Sequence, residues 1–510
     1  MLFCSAVKRR LLHTSLALGC LTAAPAMALE QFVIAIPLLE TGITIDLGEV
    51  ESADAVLSGN SDLAELARAG GRALADRLAR LFQAPLPREL QAIDPAVGDP
   101  LVQQVLAGIS QLIEVEGASI DTSGQSLAEA MRRARLAGQP TVLGLLRELP
   151  GTTATVDLGK VLLFAARLRR NQALGRQLVA EVSPQPVDAT QPPQGPAAIR
   201  SGGFELLVEH RPEPMRVLWV RPEGPASGAT LVISHGLWDS PKSFLGWAHY
   251  LASHGHVVLL PVHQGSDQDQ QSAMVAGDQP PPGSAELHLR PTDVSALLTA
   301  LEERQPTSLG VLPAGKVGVI GHSWGAITSL QLGGLRPMRH EQAERCEDQW
   351  DPERNLSWAL QCSLLSGGTA PDLFDPRVGA VVAVSPPARL LFDAQSGSSL
   401  QVPGLIVSGT SDWVVPSGPE AITPFTLAKA GKKGHRLVLA EGGDHFNLRA
   451  PIPTERGALG RLIRAWIQSR LAPLTVESIP SAGAAMFTAL PWGDTEIPLV
   501  DVSAEVPLSP

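Results

Sequence analysis

The sequence predicts an α/β protein with a mostly parallel, doubly wound sheet, preceded by a small, mainly helical domain. Three observations predict it. Beyond residue 200, short apolar runs alternate with helix-compatible segments, the pattern of β-α-β crossovers. Before that, from Asn60 onward, apolar residues recur at three-, four- and eight-residue steps, a helical period. The two textures meet at a Pro-rich stretch, Ser183 to Pro196, which reads as a linker.

At 510 residues the chain is long enough for two or three domains, and 44% apolar with 18% charged residues fits a globular protein with a sizeable core. A net charge of −11 without a basic stripe, together with a single tyrosine, argues against nucleic acid as a partner. Lys8-Arg9-Arg10, the apolar run Leu11 to Leu21 and Ala26-Met27-Ala28 make residues 1–28 an expected signal peptide. Its removal takes three positive charges and no acids from that −11, leaving about −14. An uncleaved anchor is the alternative, and no later segment reaches the length of a membrane span. The expectation is an exported chain, periplasmic or extracellular, with no transmembrane segment in its mature form. Cys346 and Cys362 remain after cleavage, with fifteen residues between them. In an exported protein they are most simply a disulfide closing a local loop, with two free buried thiols as the alternative. Without nearby histidines they do not fill a tetrahedral metal set.

The expected first domain spans 29–182. Gln31 to Val50 alternates weakly enough for one or two short strands, and helices are expected from Asn60 onward. The clearest covers 101–113, where Val102, Val105, Leu106, Ile109, Leu112 and Ile113 share one face. Further helices are expected at 126–137, 141–149 and 158–174. The arginines Arg132, Arg133, Arg135, Arg167, Arg169 and Arg170 read as solvated faces. A linker at 183–200 leads to the α/β domain at 201–471 and a tail at 472–510.

In that domain, strands are expected at 204–209, 215–220, 229–234, 257–262, 317–320, 379–384, 404–408 and 436–440. Helices are expected at 240–253, 291–303, 326–335 and 456–470. The strand at 317–320 runs into Gly321-His322-Ser323-Trp324-Gly325, the G-x-S-x-G nucleophile elbow in its strand–turn–helix context. Glycine is needed on both sides because a side chain there would strike the neighbouring strand or helix. Ser323 is therefore the candidate nucleophile. A serine needs a base, and the base a carboxylate, in the α/β-hydrolase order Ser, acid, His. Asp412 follows the strand at 404–408, and His445 follows the strand at 436–440, so all three converge on the carboxyl edge of the sheet. Asp444 and Asp393 are competing carboxylates; the first is too close in sequence to His445 and the second follows a different strand. The backbone N–H groups of Trp324 and Leu237 are the expected oxyanion hole, the latter in the loop Ser234-His235-Gly236-Leu237-Trp238. His235 reads as a loop-ordering residue. These features make the expected fold an α/β-hydrolase fold. A lid insertion is expected over about 336–377, carrying both cysteines, with a second rim from the polar loop Gly265 to Ala285.

On Ser234-His235-Gly236-Leu237, Gly321-His322-Ser323-Trp324-Gly325, Asp412 and His445, the stretch from about 200 to 470 resembles secreted serine α/β-hydrolases. Its likeness is to platelet-activating-factor acetylhydrolase and the polyester-cleaving lipase/cutinase group. The whole chain resembles a family known mainly from cyanobacteria, which joins an N-terminal domain of unknown function to a "predicted dienelactone hydrolase". Pro261-Val-His-Gln-Gly-Ser266, Arg290-Pro-Thr-Asp-Val294 and the two lid cysteines fit that pattern. It departs from true dienelactone hydrolases, which have a cysteine nucleophile where this chain has Ser323. The resemblance implies hydrolysis of a small-molecule or lipid carboxylic ester, with no metal or organic cofactor. The alternatives are the same triad acting on amides, thioesters or a polymer, and an inert hydrolase fold that serves as a binding protein.

Overall fold

The computed structural model describes residues 29–37, 40–86, 100–116, 124–182, 194–276, 278–304, 306–337, 343–365, 372–392, 399–471 and 497–504. The expected signal segment, residues 183–193 of the expected linker and residues 472–496 of the tail lie outside the described residues.

In the first part of the chain, β1 (Gln31–Ile36) and β2 (Thr41–Asp46) pair antiparallel. β3 (Ile113–Val115) and β4 (Thr153–Asp157) complete a four-stranded sheet in the order β2-β1-β4-β3. Nothing in the apolar spacing announces β3 or β4, which are three and five residues long. The "mainly helical" expectation is incomplete for that reason. Around the sheet lie α1 (Ala53–Ser58), α2 (Asp62–Gly70), α3 (Arg72–Phe82), α4 (Pro100–Ser110), α5 (Gln125–Leu136) and α6 (Val142–Arg147). Ser52 and Ser61 cap α1 and α2, each hydroxyl accepting an N–H that the first turn leaves without a partner. The core joins Ile45 and Leu47 to Val56, Leu63, Phe82, Leu127, Met131 and Leu146. α7 (Leu158–Val182) runs eight residues past its expected end and packs Leu178 and Val179 on the second domain, beside Ile422, Phe425 and Leu437.

The second part is mixed α/β around a large, mostly parallel sheet. Its strands are β5 (Ile199–Leu206), β6 (Met215–Pro222), β7 (Thr230–Ser234), β8 (Val257–Pro261), β9 (Val317–His322), β10 (Val378–Val384), β11 (Gly404–Gly409), β12 (Arg436–Ala440) and β13 (Leu499–Asp501). The nine strands run in the order β13-β12-β11-β10-β9-β7-β8-β6-β5. From β12 to β8 every pairing is parallel, and antiparallel strands close both edges. β5 begins inside the expected linker, five residues early. Gly202 and Gly203 hide it from an apolar count, and Gly202 is a close-packing site, since a Cβ there would meet the Trp219 ring at 2.5 Å.

The helices are α8 (Leu245–Ser253), α9 (Gln268–Ala276), α10 (Glu286–Glu303), α11 (Trp324–Leu332), α12 (Ser357–Leu365), α13 (Thr423–Leu427) and α14 (Gly460–Leu471). α8 and α14 cover one face through Trp247, Leu251, Ile463 and Trp466, against Leu231, Ile233, Val382 and Val407. α10, α11 and α12 cover the other through Leu297, Ile327 and Trp358, against Val232, Val319, Val381 and Ala383. Both faces being covered explains why the parallel strands read as unbroken Val/Ile/Leu runs. The expected polar rim at 265–285 contains α9, whose sequence has little apolar periodicity and buries Met274 as its hydrophobic side chain. No helix among the described residues is long and apolar enough to cross a membrane.

Candidate active site

β9 delivers the elbow to the carboxyl edge of the sheet, where His322 still pairs with Val384 of β10. Ser323 has φ 54° and ψ −122°, a conformation that non-glycine residues adopt only under constraint. The constraint is close packing. A Cβ on Gly321 would lie 1.9 Å from the Gly325 carbonyl oxygen, and one on Gly325 would lie 2.0 Å from that of Ser234. Ser323 N–H donates to the Val384 carbonyl at 2.8 Å, which pins the turn to the next strand. The hydroxyl stands at the N-terminus of α11, which is buried along its whole length.

Asp412 and His445 come together as the spacing predicts. Their side chains meet at 2.9 Å, Nδ1 to Oδ2, with Asp412 fully buried and His445 nearly so. A carboxylate only accepts, so Nδ1 donates in this bond, which leaves Nε2 as the lone-pair nitrogen of the neutral tautomer. Asp412 Oδ1 accepts the N–H groups of Val414 and Val415 at 2.9 and 2.8 Å, fixing its rotamer. His445 is brought alongside the elbow by His322, whose ring centroid lies 4.8 Å from that of His445. Of the competing carboxylates, Asp444 accepts the N–H groups of Phe446 and Asn447 and serves the loop, while Asp393 lies outside the described residues. A hydroxyl on a strained turn, with an imidazole oriented by a buried carboxylate packed on the neighbouring elbow residue His322, is a set of groups suited to deprotonating a serine and attacking an electrophilic carbon.

Gly236 abuts Ser323; a Cβ on it would come within 3.2 Å of the serine Cβ. The loop carrying Leu237 is thereby brought against Ser323. Among the described residues, neither Leu237 N–H nor Trp324 N–H donates to another protein group. His235 orders this loop as expected, with Nδ1 on the Gly236 carbonyl at 2.8 Å and Nε2 accepting the His263 N–H at 3.0 Å.

Behind the loop lies a second Ser-His-Asp array that sequence reasoning missed. Ser234 Oγ lies 2.8 Å from His263 Nε2, and His263 Nδ1 lies 2.8 Å from Asp293 Oδ2. All three are fully buried, so no substrate reaches them. Burial lowers the His263 pKa to about 4, with the bond to Asp293 opposing the shift. Burial works against the charged form of Asp293, yet hydrogen bonds from His210, His263 and Arg211 hold it well below the usual carboxylate range. This array is a buried polar brace under β7 and β8. The signal that could have found it was the pair of segments Pro261–Ser266 and Arg290–Val294, which carry no motif of their own.

The expected lid contains a short 3₁₀ turn, Ala343–Cys346, and α12, joined by a disulfide between Cys346 and Cys362. Its anchor is Glu420, a fully buried carboxylate. Asn355 Nδ2 donates to it at 2.7 Å, Trp358 Nε1 at 3.0 Å, Gln361 Nε2 at 3.1 Å and Ser357 Oγ at 3.2 Å. The N–H groups of Ala388 and Arg389 add two more bonds at 2.8 Å each. Burial raises the Glu420 pKa even against these donors.

The first domain grips the same elements. Arg167 Nη1 donates to the Gln349 and Asp351 carbonyls, and Arg354 of the lid reaches Gln104 Oε1 at 2.9 Å. Gln172 Nε2 donates to the backbone carbonyl of Asp412 at 3.1 Å. Arg167 therefore departs from the solvated-face expectation. Trp350, Trp413 and Phe446 remain about half exposed around this region. No grouping of three His, Cys, Asp or Glu able to hold a metal occurs among the described residues. No family model matches the chain, and comparison with curated proteins finds no match.

Proposed function

We propose that the chain is a serine hydrolase of α/β-hydrolase fold that cleaves carboxylic esters through an acyl-enzyme. The observation that carries this reading is the buried Asp412–His445 pair, packed on His322 of the strained elbow that holds Ser323. Ser323 Oγ attacks the ester carbonyl while His445 Nε2 takes its proton. Asp412 keeps the imidazole in the required tautomer and stabilises its cation. The tetrahedral oxyanion rests on the N–H groups of Leu237 and Trp324. His445 then returns the proton to the departing alcohol, and water, activated by the same imidazole, cleaves the acyl-enzyme.

The exposed Trp350, Trp413 and Phe446 support an ester with an apolar acyl or alcohol part. The disulfide supports an oxidising, exported setting, periplasmic or extracellular, consistent with the signal read at residues 1–28. The test is hydrolysis of p-nitrophenyl acetate, butyrate and palmitate by the chain beside Ser323→Ala. Turnover that disappears in the variant is expected, and the chain-length profile separates esterase from lipase. A folded protein inactive on all three esters would refute simple ester hydrolysis.

A further inference from the structure

The loop Ser234–Trp238 is held from behind by one guanidinium. Arg290, in α10, is completely buried. Its Nε donates to Ser266 Oγ at 2.8 Å, Nη1 to the His235 carbonyl at 2.7 Å, and Nη2 to the Gly236 and Ser266 carbonyls at 3.0 and 3.3 Å. The same group lies over the Trp324 ring, 4.6 Å from its centroid. Burial lowers its pKa to about 10, with Glu286 and Asp293 opposing, so it is charged at neutral pH.

Two of these contacts bear on the proposed oxyanion donors: the Gly236 carbonyl belongs to the peptide that carries the Leu237 N–H, and the ring is that of Trp324. In a trans peptide the carbonyl of one residue and the N–H of the next point in opposite directions. With the Gly236 carbonyl turned onto Arg290, the Leu237 N–H must point away from the guanidinium. The next N–H along, that of Trp238, is already committed to the Ser266 carbonyl at 2.8 Å. Leu237 is thus the free donor on the far side of a clamped peptide. Hydrogen bonding at the Gly236 carbonyl also polarises that peptide and strengthens its N–H as a donor.

We propose that Arg290 is the positioning residue of the oxyanion hole, fixing Leu237 through the His235 and Gly236 carbonyls and Trp324 through its ring. The inference rests on the ester-hydrolase reading. Lysine cannot replace it, because a point charge on a flexible stem cannot bridge several acceptors and stack on an indole.

The experiment compares kcat and KM on p-nitrophenyl butyrate for the unsubstituted chain, Arg290→Lys and Arg211→Lys. Arg211 serves as the control because it braces the same buried cluster through Glu286 and Asp293 without touching the carbonyls of 235 or 236. Affinity for a trifluoromethyl ketone, whose hemiketal with Ser323 places an oxyanion in the same hole, is measured alongside. Arg290→Lys is expected to lower kcat by about 10- to 100-fold at nearly constant KM and to weaken the ketone by a similar factor. Arg211→Lys is expected to lower melting temperature but to leave kcat within about threefold. Unchanged kcat in folded Arg290→Lys overturns the proposal, as does a loss confined to KM or an equal kcat loss in Arg211→Lys. If Arg290→Lys fails to fold, Ser266→Ala, which removes the hydroxyl gripping Nε, must lower kcat at constant KM; an unchanged kcat overturns the proposal equally. An inactive unsubstituted chain overturns the ester-hydrolase reading itself and this inference with it.

Discussion

His322 donates from Nε2 to the backbone carbonyl of His445 across 2.9 Å. The residue before the proposed nucleophile therefore carries the loop of the proposed base. Burial, with the nearby His445 adding to it, pushes the His322 pKa well below its ordinary value, so it stays neutral and keeps this single donor role. His322→Ala should lower kcat by about tenfold with little change in KM, because the imidazole of His445 is then less well placed. His322→Gln, which can donate from its amide, should recover most of the loss. Steady-state kinetics on a p-nitrophenyl ester checks both.

Asp412 is read as the orienting carboxylate. Asp412→Asn preserves the shape of the loop but favours the wrong imidazole tautomer, and kcat should fall by about 10³- to 10⁴-fold. Asp444→Asn, in the cap of the same loop, should cost far less activity. Equal losses in the two variants would remove the distinction drawn between them.

Glu420 ties the lid to the loop after β10 and to the segment after β11. Glu420→Gln turns an acceptor-only group into one with two donors facing a ring of donors. It should destabilise the protein by about 3 kcal/mol or more, measured by denaturant titration. Kinetics on long-chain esters should suffer more than on acetate if the lid shifts with it.

The disulfide closes a loop with a sequence separation of 16. Replacing both cysteines by serine should cost about 3 kcal/mol, mainly by freeing the unfolded chain. Denaturant curves of the double variant, and of the reduced parent protein, should agree.

Burial lowers the pKa of His256, His263 and His435 to about 4. The unfolded chain takes up these protons near pH 6.5, whereas the folded chain resists until about pH 4. Stability present above pH 6.5 is therefore lost progressively as pH falls toward 4. His256 and His435 each accept a backbone N–H at Nδ1, from Ala229 and Gly404. An asparagine oxygen can replace that acceptor without titrating. Melting temperature in the double His→Asn variant should fall less steeply over this range than in the parent.

The large sheet was legible because its central strands are buried on both faces and read as uninterrupted apolar runs. Ser323, Asp412 and His445 were legible because each stands at a strand end, where sequence order maps onto space. Ser234, His263, Asp293 and Arg290 were not. Their meaning comes from contacts between segments up to 83 residues apart, as between Asp293 and His210, with no spacing rule to join them. Glu420 was hidden likewise, since an acidic residue in Ser417-Gly-Pro-Glu420 reads as turn chemistry until its donors are seen. The N-terminal strands β3 and β4 were too short for a two-residue period to register.

β13 pairs with β12 through Asp501, Val500 and Leu499. Those few residues occupy the hydrogen-bonding edge that β12 would otherwise present to its surroundings. A chain cut after α14 would carry that edge bare, and a bare edge recruits strands from other molecules. Whether neighbouring copies stay separate or zip together thus turns on a segment with no part in the chemistry.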